Sequence, residues 1–596
     1  MSQTSSETAG HLYRNAAEEL KANPGQWQAY ESKGNCVILA GPGSGKTKTL
    51  TIKMARILAE DIRPPQGVAC ITYNSECARE LERRLDKLGV AINDRIFIGT
   101  VHSFCLKHIV LPYAHLAGYP LPAGWRVANS GEQNRIFESV FNNSPVGHED
   151  KDYWRINMDR FRRTVLDRNS EEWNNEPDLS CLVERYEAKL RSEGLIDFDD
   201  MVLIGLRLLK KNKWIGKLIK SKFPVLVVDE YQDLGVPLHQ IVLHLCFQHR
   251  IRLIAVGDPD QSIYGFTGAK PELLRELARS DQIESVQLRI NYRCAKRIAV
   301  ASQGTLGGDI TYDVPPDTSE GVVLFYNCND MEHQAATIFQ GIIPQVLQRR
   351  NNLKLGNIAV LYANKNIGDI MAEAASANGM KYIRIDQNAP YQKTPLTRWL
   401  EECAAWCSGG WLKGQPRLSS LIQRWLSFNK SVSRDQRFLY LRKDFVRFLW
   451  ETRNNPEISL RDWLFQMHER CLKPMFEREM TMNDESLAFQ KLQNACGENG
   501  KMFDFTVKTF AGQGGSPDHL NLITLHSAKG REFDVVIIPG MDAGRFPSKY
   551  ATGQGKQEAL RLFYVGVTRA INELHILYSN SPSEFVIRFS DSLPPS

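Results

Sequence analysis

The sequence predicts an α/β protein with two cores, each a parallel sheet flanked by helices and each interrupted by a mainly helical insertion. Short apolar runs rich in β-formers alternate with amphipathic helical stretches in two separate regions, the pattern of parallel strands joined by crossover helices. The first of these runs, Cys36-Val37-Ile38-Leu39-Ala40, passes directly into a Gly-rich loop and then a helical stretch. At 596 residues the chain is too long for a single core.

The strands are expected in order. Cys36–Ala40, Val68–Thr72, Val225–Asp229 and Leu253–Gly257 form the first region. Val322–Tyr326, Ile358–Tyr362, Tyr382–Ile385, Leu522–His526, Val535–Pro539 and Leu574–Tyr578 form the second. Residues 106–195 and 387–513 carry helical spacing instead. The expected organisation is therefore a first core at 1–105 and 196–283 with its insertion at 106–195, and a second core at 284–386 and 514–596 with its shorter insertion at 387–513.

Composition narrows the class. With 42% apolar and 24% charged residues the chain reads as an ordinary globular protein. A net charge of only +6 confines any nucleic-acid surface to a local groove. The 12 cysteines form no C-x-x-C pair, which argues for a reducing compartment, and Cys403 and Cys407 read as small buried side chains. The polar start Met1-Ser2-Gln3-Thr4-Ser5-Ser6 shows no secretory signal, and no apolar run reaches membrane-spanning length. A cytoplasmic protein with no membrane partner is expected.

Chemistry enters at Gly41-Pro42-Gly43-Ser44-Gly45-Lys46-Thr47. Glycines let successive N–H groups turn toward one anion, Lys46 supplies a cation for the β- and γ-phosphates, and the Thr47 hydroxyl suits Mg²⁺. Downstream, Val225-Leu226-Val227-Val228 delivers Asp229 and Glu230 at a strand's C-terminal end, where α/β sheets bind ligands. Asp229 is expected to hold Mg²⁺, and Glu230 to deprotonate the water that attacks the γ-phosphate.

Ten collinear segments carry a resemblance. They are Asn23-Pro24-Gly25-Gln26, the loop at Gly41–Thr47, Thr72-Tyr73-Asn74, Gly99-Thr100-Val101-His102-Ser103-Phe104, Asp197-Phe198-Asp199-Asp200, Asp229-Glu230-Tyr231-Gln232-Asp233, Gln261-Ser262-Ile263-Tyr264-Gly265, Asn291-Tyr292-Arg293, Thr524-Leu525-His526-Ser527-Ala528-Lys529-Gly530 and Tyr564-Val565-Gly566-Val567-Thr568-Arg569-Ala570. In these the chain resembles the UvrD/Rep/PcrA family of superfamily 1 DNA helicases. The resemblance implies two RecA-like P-loop NTPase cores, ATP and Mg²⁺ as cofactors, and single-stranded DNA and its junctions with duplex as partners. It also implies 3′ to 5′ movement.

Site residues follow from the same resemblance. Gln26 would read the adenine edge and Tyr292 stack on the ring, with Gly530 and Glu532 beside the ribose. Gln261 would sense the γ-phosphate, and Arg293 and Arg569, both assigned to the second core, would reach it as arginine fingers do. Tyr73, Phe198, Tyr264 and Phe266 match base-facing aromatics, and Thr100, His102, Thr524 and His526 match backbone-contacting positions.

Some positions depart from the family's pattern. Lys48 stands where an Arg usually sandwiches the adenine, so base selectivity is expected to relax. Thr267 replaces a DNA-contacting Arg, and the second insertion is short, with no G-I-G-type duplex-binding loop. Two basic, aromatic-interleaved stretches, Tyr153–Arg163 and Phe438–Trp450, read as solvated helix faces or as contacts for duplex or a partner protein. The expected function is an ATP-dependent single-stranded DNA translocase and helicase. The alternative is the motor or regulatory subunit of a multiprotein nuclease, as in phage defence.

Overall fold

The computed structural model describes residues 12–72, 75–90, 95–265, 268–307, 313–386, 391, 394–414, 416–428, 436–478, 482–498, 500, 502–511 and 517–594. Its strands run β1 (Cys36–Ala40), β2 (Val68–Thr72), β3 (Ile96–Thr100), β4 (Arg126–Val127), β5 (Leu195–Ile196), β6 (Val225–Val228), β7 (Arg252–Gly257) and β8 (Glu284–Leu288). They continue with β9 (Val322–Cys328), β10 (Ile358–Tyr362), β11 (Tyr382–Ile385), β12 (Leu520–Thr524), β13 (Phe533–Ile538) and β14 (Ala570–Ser579). Two six-stranded sheets result, ordered β3-β2-β6-β7-β1-β8 and β11-β12-β10-β13-β14-β9. Every pairing in both is parallel.

Alternation along the strands explains why each sheet needs helices on both faces. In β6, Val225 and Val227 enter one buried cluster with Ile38, Leu50 and Val256, while Leu226 and Val228 enter another with Val37, Ile71 and Leu253. Full burial of such a side chain is worth about 1.5–3 kcal/mol, so neither face tolerates exposure. In the second sheet Ile358, Val360, Leu520, Leu522, Val535 and Ile537 share a core with the helix Lys365–Ala377 through Ile367 and Met371.

The chain divides into two compact units, the first running to Glu320 and including Thr552–Tyr564 and the stretch from Ser592, the second holding Gly321–Ala551 and Val565–Asp591. This moves the expected boundary at residue 283. The strand β8 pairs along its whole length with β1, Cys36 opposite Glu284 through Ala40 opposite Leu288, and binds the following segment to the first sheet. Arg293 therefore belongs to the first unit and not, as expected, to the second core.

The first insertion is built around a charge. Arg162, with no side-chain exposure, donates to Asp197 at 2.7 Å, to Asp200 and to Glu187 at 3.3 Å, and lies 3.9 Å from Asp199. Arg163 pairs with Asp199 at 2.9 Å, and Arg155 pairs with Asp159 at 3.0 Å while stacking over Phe137 and Tyr186. The basic stretch at Tyr153–Arg163 is thus largely an internal fastening. Burial alone would raise the Asp197 carboxyl, and Arg162 overrides it, leaving that group below its ordinary range.

The second insertion buries Trp399, Trp425 and Trp463 with Phe445, Phe448 and both Cys403 and Cys407. Trp425 stacks on Phe445 at 5.6 Å with the rings 8° from parallel. In the helix Gln436–Thr452, Phe445, Phe448 and Leu449 face this core, whereas Arg442, Lys443 and Arg447 are exposed. The side chain of Phe438 lies outside the described residues. Among the described residues no helix is long and apolar enough to cross a membrane, and no cluster of three or more His, Cys, Asp or Glu is placed to hold a metal.

Candidate active site

The loop after β1 closes on itself through left-handed backbone at Gly43 (φ +67°) and Gly45 (φ +79°), leading into the helix Lys46–Arg56. Glycine matters here for room as well as for φ. A Cβ on Gly43 would stand 2.5 Å from Asn291 Oδ1 and from Arg293 Cβ, and one on Gly45 would stand 2.5 Å from Gln26 Nε2. The loop is a cradle that close neighbours press against, and the missing side chains suit it to an anion of phosphate size.

One of those neighbours, Gln26, is expected at the base, and Tyr292, also expected there, lies between the other two in the chain. Gln26 Nε2 donates to the Ser44 carbonyl at 2.9 Å, leaving its second N–H and its own carbonyl as the complementary pair that an adenine edge takes. The Tyr292 N–H donates to the Gly43 carbonyl at 2.9 Å. Asn23 joins the two: its Oδ1 accepts the Gln26 N–H at 3.1 Å, and its Nδ2 donates to the Tyr292 hydroxyl at 3.0 Å. Tyr292 stays half exposed. Asn291 Oδ1 accepts the N–H groups of Arg293 (2.8 Å) and Cys294 (3.0 Å), which sets the turn carrying Arg293. Asn23 and Asn291 went unassigned in the sequence because their work is local hydrogen bonding, although both lie inside recognised strings. Lys48 is ion-paired at the surface with Glu19 at 2.6 Å.

The carboxylates arrive from the neighbouring strands. Asp229, buried, extends β6 by donating its N–H to the Ile71 carbonyl at 2.9 Å. Glu230 follows with φ +53°, an uncommon conformation for a residue with a side chain. Its carboxylate lies 3.5 Å from Lys46 Nζ, and both groups are mostly buried. Gln232 also donates to Glu230, and its carbonyl accepts the Asp258 N–H at 3.0 Å at the end of β7. Gln261 Nε2 completes the run by donating to Asp258 Oδ2 at 2.7 Å. Burial, with help from Asp260, pushes the Asp258 carboxyl up to about 6. A continuous polar chain thus joins Lys46 to Gln261 through Glu230, Gln232 and Asp258, two of which sequence reasoning had not assigned.

The expected DNA contacts divide between the units. In the first, Thr100 accepts the Ser103 N–H at 3.3 Å and so caps the turn that carries His102. The His102 ring meets Phe198 edge-on at 6.0 Å, and burial pushes its pKa down, so it is a neutral donor near pH 7. Phe198 is 45% exposed at the start of the helix Phe198–Lys211, whose capping box is Asp197 with Asp200. The Arg162 cluster therefore anchors the residues on both sides of an exposed ring. Tyr264 is half-buried. Tyr73, Phe266 and Thr267 lie outside the described residues.

In the second unit, Thr524 ends β12 and donates to Ser527 Oγ at 2.9 Å, and burial pushes the nearby His526 down from its ordinary value. Arg569 is buried, and its guanidinium donates to the carbonyls of Val565 (2.9 Å) and Arg531 (3.2 Å) and to Thr568 Oγ1 (3.3 Å). Gly530 (φ +84°) and the exposed Glu532 flank Arg531.

Comparison with known proteins agrees with this arrangement. Residues 22–282 match the family model for the UvrD/REP helicase N-terminal domain, and residues 508–581 match that for the UvrD-like helicase C-terminal domain. The chain is 24% identical to the ATP-dependent DNA helicase Rep of Escherichia coli (strain K12), over 93% of this chain and 90% of the relative. It is also 24% identical to the ATP-dependent DNA helicase PcrA of Staphylococcus aureus (strain Mu50), over 94% and 85%, and to that of Bacillus subtilis (strain 168), over 96% and 86%.

Proposed function

The chain belongs to the UvrD/Rep helicase family, and from that premise we propose that it is an ATP-driven translocase on single-stranded DNA that separates strands in the 3′ to 5′ direction. The observation that carries this reading is the Lys46–Glu230 approach of 3.5 Å beside a cradle of left-handed glycines. Lys46 and the loop N–H groups bind the β- and γ-phosphates, while Gln26 and Tyr292 take the base. Thr47 and Asp229 would hold Mg²⁺, which supplies charge neutralisation for the phosphates. Glu230 accepts a proton from the attacking water as the bond from the γ-phosphorus to the bridging oxygen breaks and ADP leaves. Gln261, at the end of the polar chain, relates the state of the phosphates to Tyr264. Arg293 and Arg569 neutralise charge that develops during transfer.

Phe198, Tyr264, Thr100 and His102 on the first unit, and Thr524 and His526 on the second, grip the strand, together with Tyr73 and Phe266. The relatives' names support a DNA substrate and lend no support to a nuclease-complex subunit. Strand junctions are the substrate for unwinding, and the cytoplasm is the proposed compartment.

The test is ATP turnover by the purified protein with and without single-stranded DNA, beside unwinding of 3′-tailed and 5′-tailed duplexes. Strong stimulation by the single strand and preference for 3′ tails are expected. Glu230→Gln should bind ATP and not turn it over, whereas Lys46→Ala should lose both. Turnover that survives in Glu230→Gln removes that residue as the base, and preference for 5′ tails overturns the polarity.

A further inference from the structure

The helix that carries Gln26, Pro24–Glu31, has eight residues, too few to hold itself in water. It is fastened at both ends. Asn23 closes the N-terminal end, as described above. At the C-terminal end, the carbonyls of Ala29, Tyr30 and Ser32 converge on one ammonium, Lys53 Nζ, at 2.7, 3.3 and 2.7 Å. Lys53 has no solvent exposure, and its three protons go to three main-chain oxygens that the end of a helix would otherwise leave unpaired. Arg252 and Arg56 add donations to the Ser32 carbonyl at 2.6 and 3.4 Å.

Lys53 also lies seven residues after Lys46 in the helix Lys46–Arg56, two turns along the same face. One rigid element thus presents the phosphate-binding amine at its start and grips the base-reading helix near its end. We propose that Lys53 is a positioning residue for purine recognition, setting the seat of Pro24–Glu31 against the phosphate loop and thereby aiming Gln26 and, through Asn23, Tyr292. This rests on the reading that Gln26 and Tyr292 take the base.

The clamp depends on the ammonium keeping its third proton. The groups that face it are Cys36 on β1, Arg252 at the start of β7, Arg56 on its own helix, and Asp61 beyond that helix, with Tyr30 and Glu31 on the clamped helix. Burial raises the Cys36 thiol, which stays neutral, so the carboxylates set against the two guanidiniums are Asp61, paired with Arg252 and Arg56, and Glu31, 3.5 Å from Arg56. Burial pulls Lys53 down to about 7. Loss of the proton removes one donor and the charge that complements a helix C-terminus.

The experiment compares wild type, Lys53→Met and Lys53→Arg as full chains. It reads steady-state ATP and GTP hydrolysis with saturating single-stranded DNA from about pH 6 to about pH 9, and amide exchange of residues 24–31 without nucleotide. In Lys53→Met the KM for ATP should rise about tenfold with kcat within about twofold, preference for ATP over GTP should shrink, and exchange in 24–31 should quicken. Wild type should lose ATP affinity as the pH rises. Lys53→Arg, which keeps its charge, should hold a flat KM over that range.

Unchanged KM, base preference and exchange in Lys53→Met overturn the proposal, as does a pH-dependent KM that persists in Lys53→Arg. Should Lys53→Met fail to fold, the pH profile of Lys53→Arg decides alone. Absence of nucleotide hydrolysis in wild type defeats the reading of the site instead, and the exchange comparison then still judges the clamp.

Discussion

At the centre of the first insertion lies a guanidinium, Arg162, ringed by Glu187, Asp197, Asp199 and Asp200; at the centre of the second lie Trp399, Trp425 and Trp463. Both are helical excursions from a parallel sheet, yet they are held by opposite chemistry. The aromatic core draws every member from its own insertion and closes by apolar burial, which is indifferent to partner geometry. The ionic cluster reaches outside its insertion, because Asp197, Asp199 and Asp200 open the helix that carries Phe198 back in the α/β core. It fastens one part to another, and it does so at the residues that frame a proposed DNA contact.

The sharpest way to break the comparison is Arg162→Met. Buried carboxylates would lose their shared partner, at a cost near the top of about 3–5 kcal/mol for breaking a buried ion pair. Arg162→Lys should not rescue it, since one ammonium cannot serve carboxylates in several directions. Thermal unfolding should fall, and DNA stimulation of ATP turnover should weaken with it. Intact DNA stimulation in a folded Arg162→Met protein would detach the cluster from the proposed contact.

Next in size, Trp463→Ala should cost about 3 kcal/mol or slightly more through the cavity it leaves, and Trp463→Phe should recover most of that. Limited proteolysis should show new cuts within 387–513 while ATP binding at the first unit is retained. Loss of ATP binding in this variant would mean that the aromatic core is not self-contained.

Acid should separate the two regions more gently. The folded-state pKa of Asp197 is depressed, so its contribution is complete above the ordinary carboxylate value, about pH 4, and is lost as pH falls below that. Acid titration followed by fluorescence of the buried tryptophans and by proteolysis should therefore loosen residues 106–195 before 387–513. The reverse order would contradict the comparison.

The smallest effect belongs to Arg470, which pairs with Asp444 at 2.7 Å and Glu451 at 2.9 Å while about a quarter exposed. Arg470→Gln should shift stability by about 0–1 kcal/mol and lose even that in high salt. A loss like that of Arg162→Met would show that burial is not what distinguishes the two insertions.

The strands legible in the sequence were the buried ones. Cys36–Ala40, Val68–Thr72 and Ile358–Tyr362 coincide with β1, β2 and β10, because unbroken apolar runs have one reading in such a fold, and Tyr382–Ile385 coincides with the edge strand β11 although Arg384 interrupts it. The strand β8, Glu-Ser-Val-Gln-Leu, escaped because its other residues are polar and it buries only Val286 and Leu288. The phosphate loop and the acidic pair were legible for a similar reason, being local strings whose chemistry is complete within a few residues. Arg162 was not. Its carboxylate partners lie 25 to 38 residues onward, so Arg160-Phe161-Arg162-Arg163 looks like a basic surface until the fold supplies them. Gln232 and Asp258 were hidden by the same distance, since their role is to bridge two strand ends.

The edge strand β8 also decides where this protein can be recombined with a relative. A crossover at residue 284, which the strand pattern suggests as a natural seam, would give the first sheet a foreign edge and set a foreign Asn-Tyr-Arg turn against the native loop at Gly43, where even an added Cβ would stand only 2.5 Å from Asn291 and Arg293. A crossover after Glu320 inherits the strand, the turn and the loop from one parent. Chimeras joined at the later point should retain nucleotide affinity, and those joined at the earlier one should behave as heterologous grafts even when both parents are active.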